Sequence, residues 1–362
     1  EIISMNENEI LGFDPSQLTV FNNQEKPKTS NDPLLYKPTP ADSKSDDGIY
    51  RATIKIIYNP FDFKKSILEQ QSYVMQDADG YFQAVSSLTV GDTNCPIFKA
   101  WKKCRYSEEG STLWKQQASK ESGGNQLFEK RFTRYVTIQV LEDKNQPELV
   151  GKYMFWKVPK SVWEIIDAKM NPAKESGKAP IPVMDFLFGR AIDLEVKPGP
   201  GKPGDERYSR ETSYTAELTE DVVSCVNPDM SPLLNPTQQA VLDQYVEDMK
   251  KVWKEKDPAV RLELKAKVDA SDNTKTLRTF YREVIEAIKK VCPNLIEELG
   301  YKEWNPETTA RVQKWIDIVL AGNDPTATAP KAAEEVGNTT TTSTPTPVPD
   351  PMTSDPDDDL PF

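Results

Sequence analysis

The chain has 362 residues and a formal net charge of −12, with four cysteines and no histidine. The absence of histidine excludes histidine-dependent catalytic triads and mixed cysteine–histidine zinc sites. Four cysteines in so long a chain do not form a disulfide framework, so we expect a reducing compartment. No apolar run approaches the roughly 20 residues that span a bilayer, and no signal peptide is recognisable. We therefore expect a soluble, intracellular protein.

The charge is unevenly distributed along the chain. Residues 50–215 hold 25 Lys and Arg against 21 Asp and Glu, whereas the rest of the chain holds 20 against 36. A mildly basic middle segment between acidic segments indicates that this middle segment is the part suited to contact a polyanion.

The first predicted elements are an arm, a strand and a hairpin. Residues 1–46 are polar and rich in Pro, Asn and Asp, which predicts an irregular arm whose apolar pieces dock on the core or on a neighbour. Tyr50–Tyr58 alternates apolar and polar side chains and predicts a strand. Residues 72–75 and 81–85, separated by Asp-Gly, predict a hairpin.

Helical spacing then appears in residues 95–104, and strand patterns return further along the chain. The predicted strands cover residues 132–141, 152–158, 191–196 and 213–218, and a helix follows Val158. Several short strands with inserted helices and long connections favour a small barrel over a βαβ sheet. We therefore predict an OB-type barrel with an inserted helical subdomain over residues 47–227, so that the fold class is mainly β.

The apolar period becomes helical after Pro236. Three amphipathic stripes predict a separate α-helical module over residues 234–321. From Gly322 the chain is rich in Thr, Pro, Ala and Asp, which predicts a disordered linker and acidic tip over residues 322–362.

Cations and aromatic rings alternate on the predicted strand that begins near Lys130. Strand alternation places Lys130, Phe132 and Arg134 on one face. It places Arg131, Thr133 and Tyr135 on the other face. Each face then combines cations for phosphates with rings for unstacked bases, as a groove for single-stranded nucleic acid requires. The alternative is an ordinary barrel strand with core rings and solvated cations.

Three further basic and aromatic clusters lie around the first strand, in residues 101–115 and in the loop after residue 197. Trp101 has helical spacing with Phe98 and Cys104, so we assign it to the core. The predicted nucleic-acid-binding residues are Arg51, Lys55, Tyr58, Lys64, Lys65, Tyr73, Tyr81, Lys102, Lys103, Arg105, Tyr106, Lys115, Lys130, Arg131, Phe132, Arg134, Tyr135, Arg207, Tyr208 and Arg210.

The last six residues are Asp357, Asp358, Asp359, Leu360, Pro361 and Phe362. Lys and Arg of a partner can pair with the acids, and a pocket can hold the terminal ring. A purely solubilising acidic end is the alternative, although it does not account for Leu-Pro-Phe. We predict that these residues bind a protein partner.

No motif indicates a metal, a cofactor or catalysis. Cys95 and Cys104 are separated by eight residues, too many for a zinc knuckle. Gly199–Pro203 lacks the Gly-Lys-Ser/Thr context of a phosphate-binding loop. We predict no cofactor and no enzymatic activity.

The order of these pieces resembles the single-stranded DNA-binding (helix-destabilising) proteins of T-even-like tailed phages over residues 48–227. The shared features are the Tyr50–Tyr58 strand ending in Asn59-Pro60, the Asn94-Cys95-Pro96 turn into a helix, the Lys130–Leu141 strand, residues 148–153 leading to Trp156 and Trp163, and a closing strand pair. The resemblance implies an OB-type barrel that coats single strands during replication, recombination and repair in the host cytoplasm.

The sequence departs from that family at two places. Cys95 matches one ligand of the family's zinc subdomain, but Phe98 stands where a second cysteine is expected, so zinc is not carried over. Residues 26–30 only faintly match the family's basic N-terminal segment, which leaves cooperative self-association open. The last six residues instead resemble the acidic tip of bacterial single-stranded DNA-binding proteins, which docks replication and repair enzymes.

Together these patterns predict sequence-nonspecific binding of single-stranded DNA and recruitment of partners through the tip. A single-stranded RNA or nucleic-acid chaperone is one alternative, which competition between poly-dT and poly-U would separate. A virion structural or assembly protein without a DNA-binding role is the other.

A first prediction concerns the acidic C-terminal segment, whose charge can compete with phosphates for the basic middle of the chain. Deleting residues 350–362 should tighten oligo-dT binding, most strongly at low salt, because screening weakens the competition at high salt. Fluorescence titration at several salt concentrations measures this. Unchanged affinity at low salt would contradict it.

Overall fold

The computed structural model describes residues 20–22, 34–86, 94–106, 128–173, 176–202, 205, 208, 211–299 and 304–327, without the side chains of residues 20–22, 41, 104–106, 128 and 129. The strands in this part of the chain are β1 (Val20–Asn22), β2 (Leu35–Tyr36), β3 (Tyr50–Ile57), β4 (Ile67–Asp77), β5 (Gly80–Val85), β6 (Phe128–Asp143), β7 (Tyr153–Lys157), β8 (Ile192–Lys197) and β9 (Ser213–Leu218). The α-helices are α1 (Pro96–Tyr106), α2 (Lys160–Met170), α3 (Pro236–Lys254), α4 (Pro258–Ala270), α5 (Asp272–Lys289), α6 (Leu295–Leu299) and α7 (Pro306–Leu320).

The strands form one mixed sheet around β6. Its main path runs β1-β4-β6-β3-β8-β9, with β5 beside β4 and β7 between β6 and β2. The β1–β4 and β2–β7 pairs are parallel and the other pairs are antiparallel. The first half of β6 pairs with β4, whereas its second half pairs with β3, and β7 lies along its opposite edge.

The sheet is open rather than closed into a barrel. Within the described residues, β9 pairs only with β8, and β1 pairs only with β4. The predicted OB-type barrel is therefore not confirmed, and the fold is a mixed sheet with packed helices. The predicted strands are present, although their first and last residues differ from the predicted ones. Part of the predicted N-terminal arm forms β1 and pairs with β4.

The predicted hairpin is confirmed as β4 and β5. Asp77 pairs with Gly80 across the turn, and Gly80 has a φ of 112°, a conformation that residues with a Cβ rarely adopt. Beyond Ser86 the structure describes the chain again from Asn94, just before α1 begins. The hairpin extends from the sheet and carries α1 and α7 on one face.

The C-terminal helices do not form the separate unit that the sequence predicted. Buried side chains of α3 and α5 belong to the same apolar cluster as those of β3, β6, β8 and α2. Tyr281 of α5 donates a hydrogen bond of 2.7 Å to Asp185, which is 2% exposed in the segment before β8. Burial raises the pKa of Asp185. The helices therefore help to close the core of the sheet.

Cap residues fix where two of these helices start. Asn235 accepts a hydrogen bond from the Gln238 backbone N–H, and the Gln238 side chain accepts one from the Asn235 backbone N–H, which forms a capping box before α3. Asn305 accepts the Thr308 N–H at 2.7 Å before α7. Among the described residues, no helix is both long enough and apolar enough to cross a bilayer.

Lys55, predicted to bind nucleic acid, is fully buried, so that prediction is wrong. It lies on β3 opposite Gln139, and the segment leading to Arg190 covers this face of the sheet. A Cβ on Gly189 would stand 2.6 Å from Lys55 Nζ, so glycine leaves room for the ammonium. Desolvation lowers the pKa of Lys55.

A second prediction follows from this buried lysine. The unfolded chain keeps the Lys55 proton up to the ordinary pKa of 10.5, whereas the folded chain releases it earlier. Stability should therefore rise with pH in the window below 10.5, because the unfolded state binds the extra proton. In Lys55→Met this contribution disappears and stability at pH 7 is unchanged or higher, since an apolar side chain of similar length avoids the desolvation cost.

Urea unfolding between roughly pH 6 and 10 measures the slope. Lys64→Met, which removes an exposed lysine, is the control and should keep the wild-type slope. An unchanged slope in Lys55→Met, or a loss above about 3 kcal/mol, would contradict the prediction.

Candidate nucleic-acid interface

The first half of β6 places cations and a ring on one face of the sheet. Antiparallel pairing with β4 sets Lys130 opposite Tyr73, Phe132 opposite Gln71, and Arg134 opposite Glu69. Opposite residues in such a ladder share a face, so Lys130, Phe132 and Arg134 point the same way. All three side chains are half-buried, unlike the buried residues that follow from Tyr135 to Leu141.

Two tryptophans from helices extend this set of residues. Lys130 Nζ lies 5.1 Å from the ring centroid of Trp101 in α1 and 4.6 Å from that of Phe132. The Arg134 guanidinium lies 4.8 Å from the Trp163 ring in α2. We call Trp101, Lys130, Phe132, Arg134 and Trp163 the cation–ring row. Lys130 and Arg134 are four residues apart on one strand, a separation of about 13 Å.

Glu69 holds Arg134 in the cation–ring row. The Arg134 Nε lies 2.9 Å from Glu69 Oε1, and its Nη2 bonds the same oxygen. The two side chains are 19% and 23% exposed, so solvent screens this pair only partly. The guanidinium is thereby kept over Trp163, while part of its charge is neutralised.

Helix α1 adds positive charge beside the Lys130 end of the row. It contains Lys99, Lys102, Lys103 and Arg105 and no acidic residue, and the three lysines are exposed. The inward side of the helix packs Trp101 and its apolar neighbours against the β4–β5 hairpin. The predicted sites Lys102 and Lys103 thus lie on a helix that contacts the row.

Helix α7 packs against both α1 and the β4–β5 hairpin. Arg311 contacts Asp77 through two nitrogens at 2.7 and 2.8 Å, and its guanidinium lies 4.2 Å from the Phe82 ring. Trp315 Nε1 donates to the Gln76 carbonyl at 2.7 Å, and Trp304 Nε1 donates to the Val85 carbonyl at 3.1 Å. Trp101 is therefore positioned by an element more than 200 residues further along the chain.

Four of the predicted base-stacking tyrosines are buried, so their assignment is wrong. Tyr58 stacks on Phe63 at 5.4 Å within the main core. Tyr73 is 0% exposed and packs beside Trp101, and Tyr135 packs with the Leu295 and Leu299 side chains of α6. Tyr208 is 7% exposed, with its hydroxyl close to Gly48. Helices and loops cover these strand faces, so the rings offer no surface to a base.

Other predicted residues are at least partly exposed but do not belong to the cation–ring row. Arg51 pairs with Asp47 at 2.7 Å and Glu195 at 2.9 Å, on an open cleft of about 540 Å³ at the far end of β3. Tyr81 is 44% exposed, and its pairing with Gln76 places it on the opposite face of the hairpin from Lys130. Arg131 also points to that opposite face. Lys64 and Lys65 lie in the β3–β4 loop.

Some predicted sites lie outside the described residues. These are Lys115, Arg207, Arg210, the side chains of Arg105 and Tyr106, and the partner-binding residues Asp357 to Phe362. Their roles stay predictions.

The sequence interpretation missed both tryptophans of the cation–ring row. Trp101 was assigned to the core, which is correct for most of its surface, but one contact of its ring is with Lys130. Trp163 was noted only as a helical residue. A tryptophan in each helix flanking a basic strand was the available signal, although only the folded chain shows that both rings reach the strand.

Within the described part of the chain, no group of three His, Cys, Asp or Glu side chains is placed to bind a metal ion. Cys95 is buried, with its Sγ 3.2 Å from Ser86 Oγ. Phe98 stacks against Trp101 at 6.5 Å beside it. Apolar packing therefore holds α1 against the β4–β5 hairpin.

Comparison with known proteins gave no match, since neither a family model nor a curated protein sequence matches this chain. The resemblance to phage single-stranded DNA-binding proteins therefore remains a hypothesis. It depends on the order of motifs, and the function must be argued from the site.

A third prediction tests the Arg311–Asp77 pair, which joins α7 to the β4–β5 hairpin. Arg311→Met should lower the free energy of unfolding by about 1–3 kcal/mol, because it leaves Asp77, which is only 16% exposed on its side chain, without its charged partner. Arg311 holds the pKa of Asp77 below its usual 3.8, so this contribution is present above pH 3.8 and is lost as pH falls further.

Urea unfolding measures the effect of Arg311→Met. Lys314→Met removes an equal charge from the exposed side of the same helix and should cost less than about 0.5 kcal/mol. Equal losses in the two variants would show that the Arg311–Asp77 pair contributes nothing specific.

Proposed function

We propose that this protein binds single-stranded DNA without sequence preference through the cation–ring row and the lysines of α1. The observation that carries the proposal is the placement of Lys130, Phe132 and Arg134 on one face of β6, with Trp101 of α1 beside Lys130 and Trp163 of α2 beside Arg134. The two tryptophans are only 6% and 8% exposed and contact the cations, so Phe132 is the ring of the row that is open to a base. Cations of the row attract phosphates and release counterions, and the Phe132 ring stacks on an unpaired base.

The chemistry of the row favours a single strand over a duplex. Duplex DNA presents phosphates and base edges, whereas its base faces are stacked on each other. A ring can use its face only on a base that is unstacked, and every base has such a face. The row therefore combines affinity for single strands with tolerance of sequence.

The acidic balance of the whole chain does not oppose this proposal. Of the −12 net charge, the middle segment contributes a small positive share, and α1 has four cations without one acid. Coulomb interactions with solvent-exposed charges are screened beyond about 8–10 Å at physiological salt. A phosphate near the row therefore responds mainly to Lys130, the lysines of α1 and the Arg134–Glu69 pair, in which Glu69 offsets part of the positive charge.

Binding rather than catalysis is the role assigned to these residues. Arg and Lys at this site hold phosphates, and aromatic rings hold bases, so no bond is made or broken. In this proposal the protein coats single strands during DNA replication, recombination and repair. Recruitment of partners by the segment from Asp357 to Phe362 remains part of the hypothesis.

A fourth prediction tests the row directly. Phe132→Ala should raise the Kd for oligo-dT, because the loss of one stacked base costs about 1–3 kcal/mol, or roughly 5- to 150-fold in affinity. Lys130→Ala should reduce the slope of log K against log salt by about 0.7, the value for one phosphate contact on a single strand. Salt-dependent fluorescence titration measures both quantities.

Tyr81→Ala is the control, since Tyr81 is an exposed ring on the neighbouring β4–β5 hairpin, on the face opposite to that of Phe132. It should leave affinity and salt slope unchanged. Wild-type binding in Phe132→Ala and Lys130→Ala, with both variants folded, would overturn the proposed function.

A further inference from the structure

The loop between β3 and β4 carries an exposed ring that the sequence interpretation did not select. The loop covers residues 58–66, and its Phe61 is 42% exposed. Lys64 is exposed, and the Lys65 side chain is 39% exposed and lies 3.5 Å from Asp62. A phenylalanine with two lysines close by repeats, on a loop, the side-chain chemistry of the cation–ring row.

Aromatic packing anchors the base of this loop in the main core. The Tyr58 and Phe63 rings stack at 5.4 Å, and both contact the Phe186 ring edge-on, at 6.3 and 5.5 Å. The Tyr58 N–H also donates to the Met184 carbonyl at 3.0 Å. The residues on both sides of Phe61 are therefore fixed to the core, while Phe61 itself faces solvent.

Hydrogen bonds within the loop fix its backbone. The Asn59 N–H donates to Ser66 Oγ at 2.9 Å, and Asn59 Oδ1 accepts the Phe61 N–H at 3.2 Å. Ser66 Oγ in turn donates to the Phe63 carbonyl at 2.6 Å, and Asp62 accepts the Lys64 N–H at 3.1 Å. A loop ordered in this way loses little conformational entropy when it binds a ligand.

The loop joins the cation–ring row through the first residues of β4. Ile67 pairs with Val136, and Glu69, two residues later, pairs with Arg134 and bonds its guanidinium. Lys65 precedes Glu69 by four residues, so their Cα atoms are no more than about 14 Å apart. The C-terminal end of the loop is therefore joined by a short stretch of β4 to Glu69, the residue that holds Arg134, at the end of the row away from α1.

We propose that the 58–66 loop is a second base-binding site, where Phe61 stacks on an unpaired base and Lys64 and Lys65 contact the flanking phosphates. This inference rests on the proposed function and extends it. A strand on the row continues past Arg134 to Phe61, so the site is longer than the row alone. Rigid display of an exposed ring favours stacking, since the ring needs no rearrangement to accept a base face.

The test compares oligo-dT of two lengths, roughly 4 and roughly 12 nucleotides, within the range of site sizes for single-strand binding modules. Phe61→Ala should raise the Kd of the longer oligonucleotide about 5-fold or more and leave the shorter one unchanged, because the shorter one is held by the row. Phe61→Leu keeps apolar surface but lacks a π-face, so it should behave as Phe61→Ala does.

Phe61→Trp provides a readout that a structural role would not change. It should restore affinity for the longer oligonucleotide, and that oligonucleotide should quench more tryptophan fluorescence than in the wild type, whose seven tryptophans give the baseline. Because Phe61 is exposed, all three variants should keep the wild-type melting temperature, which confirms that they fold.

The outcomes separate this inference from the proposed function. If Phe132→Ala weakens binding and the Phe61 variants match the wild type at both lengths, the proposed second base-binding site is wrong. Binding at the cation–ring row is then still supported. If neither Phe132→Ala nor Phe61→Ala changes binding, the proposed function fails as well.

Discussion

The pairing of β6 with β4 is the constraint on which the candidate site depends. β6 is 16 residues long and pairs with β4, β3 and β7 along its length, so its register is fixed by three neighbours. A slip by one residue would move Lys130, Phe132 and Arg134 to the opposite face. The buried second half of β6, with Ile138 and Val140 in the main core, prevents that slip, because polar side chains would have to enter the core. A purely structural requirement in one half of the strand thus fixes which face carries the cation–ring row in the other half.

The sequence predicted the local elements well, because their signals are local. Alternation identified β3, β6 and β9, helical stripes identified α3, α5 and α7, and the Asp-Gly pair identified the hairpin turn. Alternation also correctly placed Lys130, Phe132 and Arg134 on one face. It could not show which face stays accessible, since that depends on elements far along the chain. Tyr135 is covered by α6, 160 residues later, and Lys55 is covered by the segment around Asp185.

The assembly of the chain also differs from the modular arrangement that the sequence predicted. A change from strand to helix patterns near Pro236 indicated two independent units, but α5 packs into the core of the sheet, and α7 packs onto the β4–β5 hairpin. The barrel was inferred from strand number and spacing, which do not determine closure. Closure requires a specific pairing between edge strands, and no local pattern encodes that pairing. Helices α5, α6 and α7 instead pack against apolar side chains of the sheet and its hairpin.

Partial neutralisation of the cation–ring row has a consequence for how tightly it can bind. Glu69 already holds Arg134 in a pair that is about one-fifth exposed, so a phosphate approaching Arg134 competes with a carboxylate for the same guanidinium. The net gain from that contact is therefore smaller than from a free arginine, while the orientation of the guanidinium over Trp163 is already established. On the proposed function, affinity then arises from several modest contacts along the row, the lysines of α1 and the Phe61 loop, and it depends on the length of strand engaged rather than on any single residue.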